Sequence, residues 1–188
     1  MKARKVKGLD PEGTLADNAE RIVRTRLAEM CGFMPKAADS REIEALHDMR
    51  IAAKRLRYVL EITGPCFGDY AATAVRHTKD LQDLLGEIHD CDVQRPEVEE
   101  FRDELIKADV LTIGTRTRGA TDLDPKLVAR APHRADHAGL AVLEVHLRAR
   151  RELLFARFLE QWADLERKGF RSRLEYAITE RAGSLDPA

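Results

Sequence analysis

Hydrophobic residues recur at helical spacing along most of the chain, and no segment shows the alternation of a half-buried strand. This pattern predicts a first helix that ends near Cys31, with Thr14 or Asp17 as its N-cap. A second helix is expected from an N-cap at Ser40 to about Thr63, where Gly64 and Pro65 follow. The first part of the chain is therefore predicted to be helical.

The rest of the chain continues the helical pattern with one long interruption. A third helix is expected from about Tyr70 to His89, and Pro96 predicts a boundary before a fourth helix. Residues 113–134 are rich in Gly, Thr, Asp and Pro, so a loop with one helical turn near residues 126–131 is expected there. A long helix over about 135–167 and a last helix over 170–182 complete an all-α bundle of about six helices. We expect one domain over residues 1–188, with halves at about 14–112 and 135–183.

The apolar positions on these helices form stripes that predict the core. Each stripe follows i, i+3, i+4, i+7 spacing and so lies on one helix face. The predicted core residues are Met49, Ala52, Ala53, Leu56, Val59, Leu60, Leu81, Leu84, Leu85, Ile88, Leu147, Leu154, Phe155, Phe158, Trp162 and Leu165.

A row of basic residues lies on a different side of the second helix. His47, Arg50, Lys54 and Arg57 follow i, i+3, i+7, i+10 and fall within an arc of roughly 80°. No acid interrupts this row before Glu61, although like charges at i, i+4 spacing destabilise a helix by a few tenths of a kcal/mol. The repulsion indicates a partner that neutralises it, either an acidic helix of the same fold or an extended polyanion.

Neighbouring helices carry residues that extend or balance this row. Arg76 and Lys79 on the third helix extend the basic surface, and Asp90 or Asp92 is expected to pair with one of its arginines. Gly86 lies mid-helix, away from the main apolar stripe, where it allows a backbone or ligand to approach closely.

A second basic row lies on the long helix near the C-terminus. His146, Arg150 and Arg157 cluster within an arc of about 40°, and again a His precedes arginines at helical spacing. If the two rows faced one another, they would form a basic groove. Arg148 and Arg151 lie off this row and are expected to be surface or snorkelling residues.

Composition limits the function classes. The 188 residues carry a net charge of -1, so anion binding must rest on local clustering. Three cysteines without a C-x-x-C spacing argue against a zinc site and favour reduced thiols in the cytoplasm. The chain shows no secretory signal and no membrane-spanning run, so we expect a cytoplasmic protein without a membrane partner or a cofactor.

Three segments together resemble a known family. HDMRIAAKRLRYVLEI is similar to the signature helix of the CHAD domain, the conserved histidine α-helical domain. LQDLLGEIHDCDV resembles the second motif of that family, with His89 where the family usually has Arg, and HLRARRELLFARFLEQW resembles its later Arg-rich helix. The residues of this chain that carry the resemblance are His47, Arg50, Lys54, Arg55, Arg57, Leu85, Gly86, Asp90, Asp92, Val93 and Trp162.

The resemblance implies a fold and a ligand. CHAD domains are helical bundles of two pseudo-symmetric halves around a positively charged surface that binds inorganic polyphosphate, and some associate with polyphosphate granules. The chain lacks the E-x-E-x-K signature of the CYTH triphosphatase domain to which many CHAD domains are fused, so no catalytic residue and no bound metal is expected. The implied polyphosphate-binding residues are His47, Arg50, Lys54, Arg55 and Arg57, with His146, Arg150 and Arg157 added by helical position and Arg76 and Lys79 as extensions.

Several alternatives remain open at this point. The basic rows could bind acidic helices in a protein-interaction module, and the pairs His47-Asp48 and His89-Asp90 are also found in HD-type metal-dependent phosphohydrolases. Nucleic acid is not favoured, because aromatic residues are not interleaved with the basic rows. The short second half leaves room for a second copy of the chain to complete the domain as a homodimer.

Overall fold

The computed structural model describes residues 2–180 and confirms the all-α class. Seven α-helices and one 3-10 turn, Gly64–Cys66, account for the regular structure of these residues, which include no strand. The helices are α1 Leu15–Cys31, α2 Met34–Ala37, α3 Ile43–Thr63, α4 Tyr70–Arg116, α5 Pro125–Ala129, α6 Arg134–Arg167 and α7 Phe170–Ala177. The end predicted for the last helix and the SLDPA tail lie outside the described residues.

The start of α1 follows the sequence prediction, whereas the start of α3 does not. The hydroxyl of Thr14 accepts a hydrogen bond from the backbone N–H of Asp17 at 3.1 Å, which is the expected N-cap. Ser40 was the wrong N-cap for α3, because the preceding Asp39 organises a turn there. Its carboxylate binds the backbone and the guanidinium of Arg41, and the guanidinium hydrogen bond holds the pKa of Asp39 at about 2. The helix then begins after Glu42, without a side-chain cap.

Pro96 does not separate two helices, and α4 runs through it for 47 residues. Proline has no N–H, so the carbonyl of Asp92 loses its helical donor there. Ion pairs on both sides of Pro96 hold the segment against α6. Arg151 Nε lies 2.6 Å from the carboxylate of Asp92, and Arg148 lies 3.3 Å from Glu99. These contacts, with helix-favouring residues on either side, explain why the predicted boundary was wrong.

The chain divides into two compact units, Met1–His89 with Leu154–Ala188, and Asp90–Leu153. The first unit contains almost all of the apolar core, including the predicted stripes of α3 and of the first half of α4. Phe158, Leu56 and Leu81 are each fully buried there, as the helical periodicity predicts. Of the predicted core residues, Val59 alone is only half-buried. This unit therefore provides the packing that fixes α3 and the adjoining part of α4.

The second unit is a pair of antiparallel helix segments joined largely by charged groups. From Asp90 onward α4 descends beside the first half of α6, and only Cys91 and Leu147 are buried apolar residues among its described side chains. The ion pairs that join α4 to α6 are Asp92 with Arg151, Glu99 with Arg148, Arg102 with Glu144, and Asp109 with His133 and His137. Arg151, expected to be a surface or snorkelling residue, is buried at the end of this series.

Asp109 joins α4 to α6 at the end of this helix pair that lies away from Asp92 and Arg151. One oxygen of its carboxylate lies 2.8 Å from His133 Nδ1 and the other lies 2.9 Å from His137 Nε2. Burial raises the pKa of Asp109, but the hydrogen bonds from both histidines outweigh burial and lower this pKa below its ordinary value. The carboxylate therefore stabilises the fold when ionised, and this stabilisation is lost as pH falls through the lowered folded pKa.

We expect Asp109→Asn to lower the melting temperature by a few degrees at pH 7, because the neutral amide cannot pair with both imidazoles. The difference from the wild type should shrink at pH 3, where the wild-type carboxyl is largely protonated in the unfolded chain and increasingly so in the folded one. Thermal unfolding followed by circular dichroism at pH 7, 5 and 3 measures both effects. A difference that stays constant across this range contradicts the assignment.

The apolar stretches and the cysteines complete the description of residues 2–180. Within residues 2–180, no helix has an apolar stretch long enough to cross a bilayer. Cys31, Cys66 and Cys91 are all free thiols, and burial raises the pKa of Cys31 to about 11.

Candidate anion-binding site

The two sequence motifs meet where α3 packs against the first part of α4. His47 contacts His89, Arg50 lies over Gly86, and the positive charge of Arg57 acts on Lys79. Residue numbers rise along α3 as they fall along α4, so the two segments run antiparallel. The basic row of α3 is therefore at the seam with α4, within the first unit.

His47 and His89 form a close imidazole pair at one end of the seam. Their Nδ1 atoms are 3.3 Å apart and their ring centroids 4.5 Å apart. In a hydrogen bond between them, one Nδ1 donates and the other accepts, according to the tautomers of the two rings. His89, which stands where the resemblance led us to expect an arginine, thus contacts the signature histidine directly.

Several buried side-chain polar atoms have no hydrogen-bond partner among the described residues, and three of them belong to the two sequence motifs. They are Nε of Arg50, Nε of Arg57 and Oε1 of Gln82. Nε of Arg57 lies 3.3 Å from Glu61, but not in hydrogen-bonding geometry. Buried polar groups in proteins are nearly always hydrogen-bonded, so unsatisfied guanidinium donors in this position indicate a place for an external acceptor. Gln82 carried no signal in the sequence that distinguished it from a surface residue.

Tyr58 organises the cations at the other end of the row. Its ring centroid lies 4.8 Å from the guanidinium carbon of Arg57 and 5.7 Å from Nζ of Lys54. These distances are in the range of cation–π interactions, which keep the charged groups on one side of the helix. The i, i+4 spacing of Lys54 and Tyr58 could have indicated this contact from the sequence.

The other predicted cations of the first unit have partners within the fold. Arg55 contacts the buried carboxylate of Glu29 at 3.4 Å, and Arg76 donates a hydrogen bond to Thr73 at 2.9 Å. Lys79 binds Asp83 at 2.6 Å, and this hydrogen bond raises the pKa of Lys79. Arg55 thus supports the packing of α1 against α3, while Arg76 and Lys79 remain exposed.

The second basic row is divided between the two units. His146 and Arg150 belong to the second unit, and Arg157 belongs to the first. His146 and Arg157 are exposed, whereas Arg150 is half-buried with Nη1 3.8 Å from the sulfur of Cys91. The groove expected between the two rows stays a prediction.

The two acids of the second motif differ in their surroundings. Asp92, expected beside an arginine of the α3 row, binds Arg151 instead. Asp90 is exposed. Residues 2–180 contain no group of three or more His, Cys, Asp or Glu side chains placed to hold a metal ion. His133 and His137 lie beside Asp109, and both imidazoles bind its carboxylate directly.

Gly86 gives the Arg50 side chain room to lie across α4. A Cβ atom built on Gly86 would meet Arg50 Nε at 3.6 Å, an ordinary van der Waals distance. We therefore expect Gly86→Ala to raise the free energy of unfolding by about 0.5–1 kcal/mol through its lower conformational entropy in the unfolded chain. Urea unfolding measures this change. A destabilised variant would mean that the seam has no space for a methyl group.

The arrangement defines an all-α protein in which cationic and imidazole side chains line the seam between two antiparallel helix segments. The family model of the CHAD domain matches residues 3–99, just over half of the 188-residue chain and including both motifs. The chain belongs to the CHAD domain family. Comparison with curated proteins and with solved structures finds no match.

Proposed function

We propose that this protein binds inorganic polyphosphate, without turning it over, through the basic row of α3 and the adjoining cations of α4. The observation that carries the proposal is that the buried Nε atoms of Arg50 and Arg57 make no hydrogen bond among the described residues. Membership of the CHAD family supports the same ligand class.

The row suits an extended phosphate chain better than one small anion. His47, Arg50, Lys54 and Arg57 span ten residues of helix, which is about 15 Å at 1.5 Å per residue. Guanidinium groups bind phosphate oxygens through charge-assisted, often bidentate hydrogen bonds. Successive phosphates along the seam would satisfy successive side chains, with exposed Lys79 and Arg76 as further contacts.

In this proposal the second basic row provides additional, weaker contacts to polyphosphate. His146 and Arg157 are exposed on α6 and are available to a long polyanion, and Arg150 adds charge between them. We place the main affinity on α3, because two of the three buried guanidinium Nε donors without a hydrogen bond among the described residues, those of Arg50 and Arg57, are there. The third, Nε of Arg95, lies 3.6 Å from Glu99 in the second unit. Association with polyphosphate granules in the cytoplasm would follow from binding long chains.

The proposal is tested by titrating the protein into end-labelled polyphosphate of about 100 units and following fluorescence anisotropy. We expect binding whose logarithmic affinity falls linearly with the logarithm of salt concentration, because bound phosphates release their counterions. Orthophosphate at equal phosphorus should compete poorly. Absence of binding at 50 mM salt overturns the proposal, and so does equal affinity for single-stranded DNA of the same charge.

A second assay addresses turnover. The protein is incubated with the same polyphosphate, with and without added Mg²⁺ or Mn²⁺, and free phosphate and chain length are measured. We expect unchanged chain length in every arm. Protein-dependent shortening would replace the binding role with a phosphohydrolase.

A further inference from the structure

The second unit exposes its apolar side chains instead of burying them. Eleven of the seventeen large hydrophobic residues that are exposed among the described residues lie between Asp90 and Leu153. The seam of its two helix segments is formed by ion pairs, so the apolar groups have no core of their own to enter. Contiguous exposed apolar surface of this kind marks an interaction site.

On α6 three of these residues, Val142, Val145 and Leu153, form a stripe with exposed alanines at spacings of three and four residues. The stripe consists of Ala135, Ala138, Val142, Val145, Ala149 and Leu153, all exposed. At ~100° per residue they fall within an arc of about 80°, on the side of the helix opposite to buried Leu147 and Arg151. Valines 142 and 145 have 70% and 67% of their surface exposed, the largest fractions among the large hydrophobic residues of this helix. The helix thus has a second apolar face, which the fold of one chain leaves uncovered.

The middle of the stripe is symmetric under reversal. Ala138, Val142, Val145 and Ala149 are separated by four, three and four residues, so the pattern reads the same in both directions. An antiparallel copy of the helix would place each Val142 against the partner's Val145 and each Ala138 against the partner's Ala149. Small residues at such positions let two helices approach closely, and a twofold interface uses the same patch on both subunits.

The charges at the ends of the stripe favour the same arrangement. In the antiparallel register, Glu152 lies next to Arg134 of the partner subunit, and both side chains are exposed in one chain. His146 and Arg148, which flank the stripe, would face small neutral residues, Gly139 and Ala141 of the partner subunit.

We propose that two copies of this chain associate through the α6 stripe, Ala135 to Leu153, as an antiparallel, twofold-symmetric homodimer. The occupant of the exposed apolar face is therefore the same face of a second copy. The stripe belongs to the second unit and the basic row of α3 to the first, so dimerisation is tested without polyphosphate.

The test is sedimentation velocity of the full chain from about 2 to 200 μM in the absence of polyphosphate. We expect a reversible dimer, and we expect Val142→Glu with Val145→Glu to raise its dissociation constant by at least roughly 100-fold, since four carboxylates would meet at the twofold axis. Circular dichroism should stay that of the wild type, because both side chains are exposed. The matched control is Leu15→Glu with Ile62→Glu, two side chains of the first unit that are 67% and 76% exposed, and it should dimerise normally.

Disulfide trapping tests the orientation and does not depend on the stability of the glutamate variant. A mixture of Ala138→Cys and Ala149→Cys proteins should cross-link under mild oxidation, whereas each variant alone should remain at the wild-type background. A wild type that is monomeric at every concentration overturns the proposal and leaves the stripe to a different protein. Dimerisation that survives both valine substitutions, or cross-linking of each cysteine variant with itself, also overturns it.

Discussion

Replacing Glu29 with alanine is expected to lower the free energy of unfolding by about 3–5 kcal/mol. Glu29 lies on α1 with 1% of its surface exposed. Its carboxylate accepts hydrogen bonds from Arg26 at 2.6 Å, from Arg55 at 3.4 Å and from the backbone N–H of Arg4 at 3.1 Å. Removing the acid leaves two guanidinium groups and an amide without their common acceptor in a region where water replaces it poorly.

Chemical unfolding in urea measures the effect, with Glu20→Ala as the matched control. Glu20 lies on the same helix and pairs with Arg24 at 2.9 Å on a solvent-exposed face, so its loss should cost less than about 1 kcal/mol. Alanine favours helix at both positions, which removes helix propensity as an explanation. If both variants lose the same small amount of unfolding free energy, the buried cluster around Glu29 does not hold α1 against α3.

This cluster also shows where sequence reasoning reaches its limit. The apolar stripes of α3, α4 and α6 could be predicted because periodicity alone tells which face of a helix is buried. Glu29 and Arg151 gave no such indication, since a charged residue is buried only when a partner from another helix reaches it. Burial of such a residue depends on the register in which two helices pack, and the spacing of residues along one helix does not determine that register.

The errors at Ser40 and Pro96 have a related cause. Both residues were interpreted by local rules, a serine as an N-cap and a proline as a helix boundary. Asp39 overrides the first rule by holding Arg41 in a turn, and the ion pairs of Asp92 and Glu99 with α6 override the second. At Pro96 a local preference of about 3 kcal/mol yields to contacts between distant parts of the chain, whereas at Ser40 one local preference, the turn of Asp39 with Arg41, outweighs another.

The candidate site was predicted in part. Spacing alone placed His47, Arg50, Lys54 and Arg57 in one row, and the structure puts this row at the seam with α4. The contact of His47 with His89 and the position of Arg50 over Gly86 required the packing of two helices that are about 40 residues apart in the chain. Gly86 was recognised as a place of close approach, but the sequence could not tell that an arginine of the same chain approaches it.

Reversing the charges of Arg50, Lys54 and Arg57 together to glutamate is expected to lower the affinity for polyphosphate by at least roughly 100-fold at about 0.1 M salt. Each lost cation removes one phosphate contact and its released counterion, so the slope of logarithmic affinity against logarithmic salt should decrease by about three. The Nε atoms of both arginines are buried without a hydrogen bond among the described residues, and Lys54 lies between them beside Tyr58. Anisotropy titration at three or more salt concentrations measures both quantities.

The matched control carries the same change of charge elsewhere. Lys36, Lys107 and Lys126 are exposed lysines outside the seam, and their joint replacement by glutamate alters the net charge equally. If polyphosphate bound through the overall field of the protein, both triple variants would lose the same affinity, because a distant charge contributes to that field as well. We expect the control to stay within about threefold of the wild type and to keep its salt slope. Equal losses in the two variants would remove the seam between α3 and α4 as the binding site, because only a localised site distinguishes charges by position.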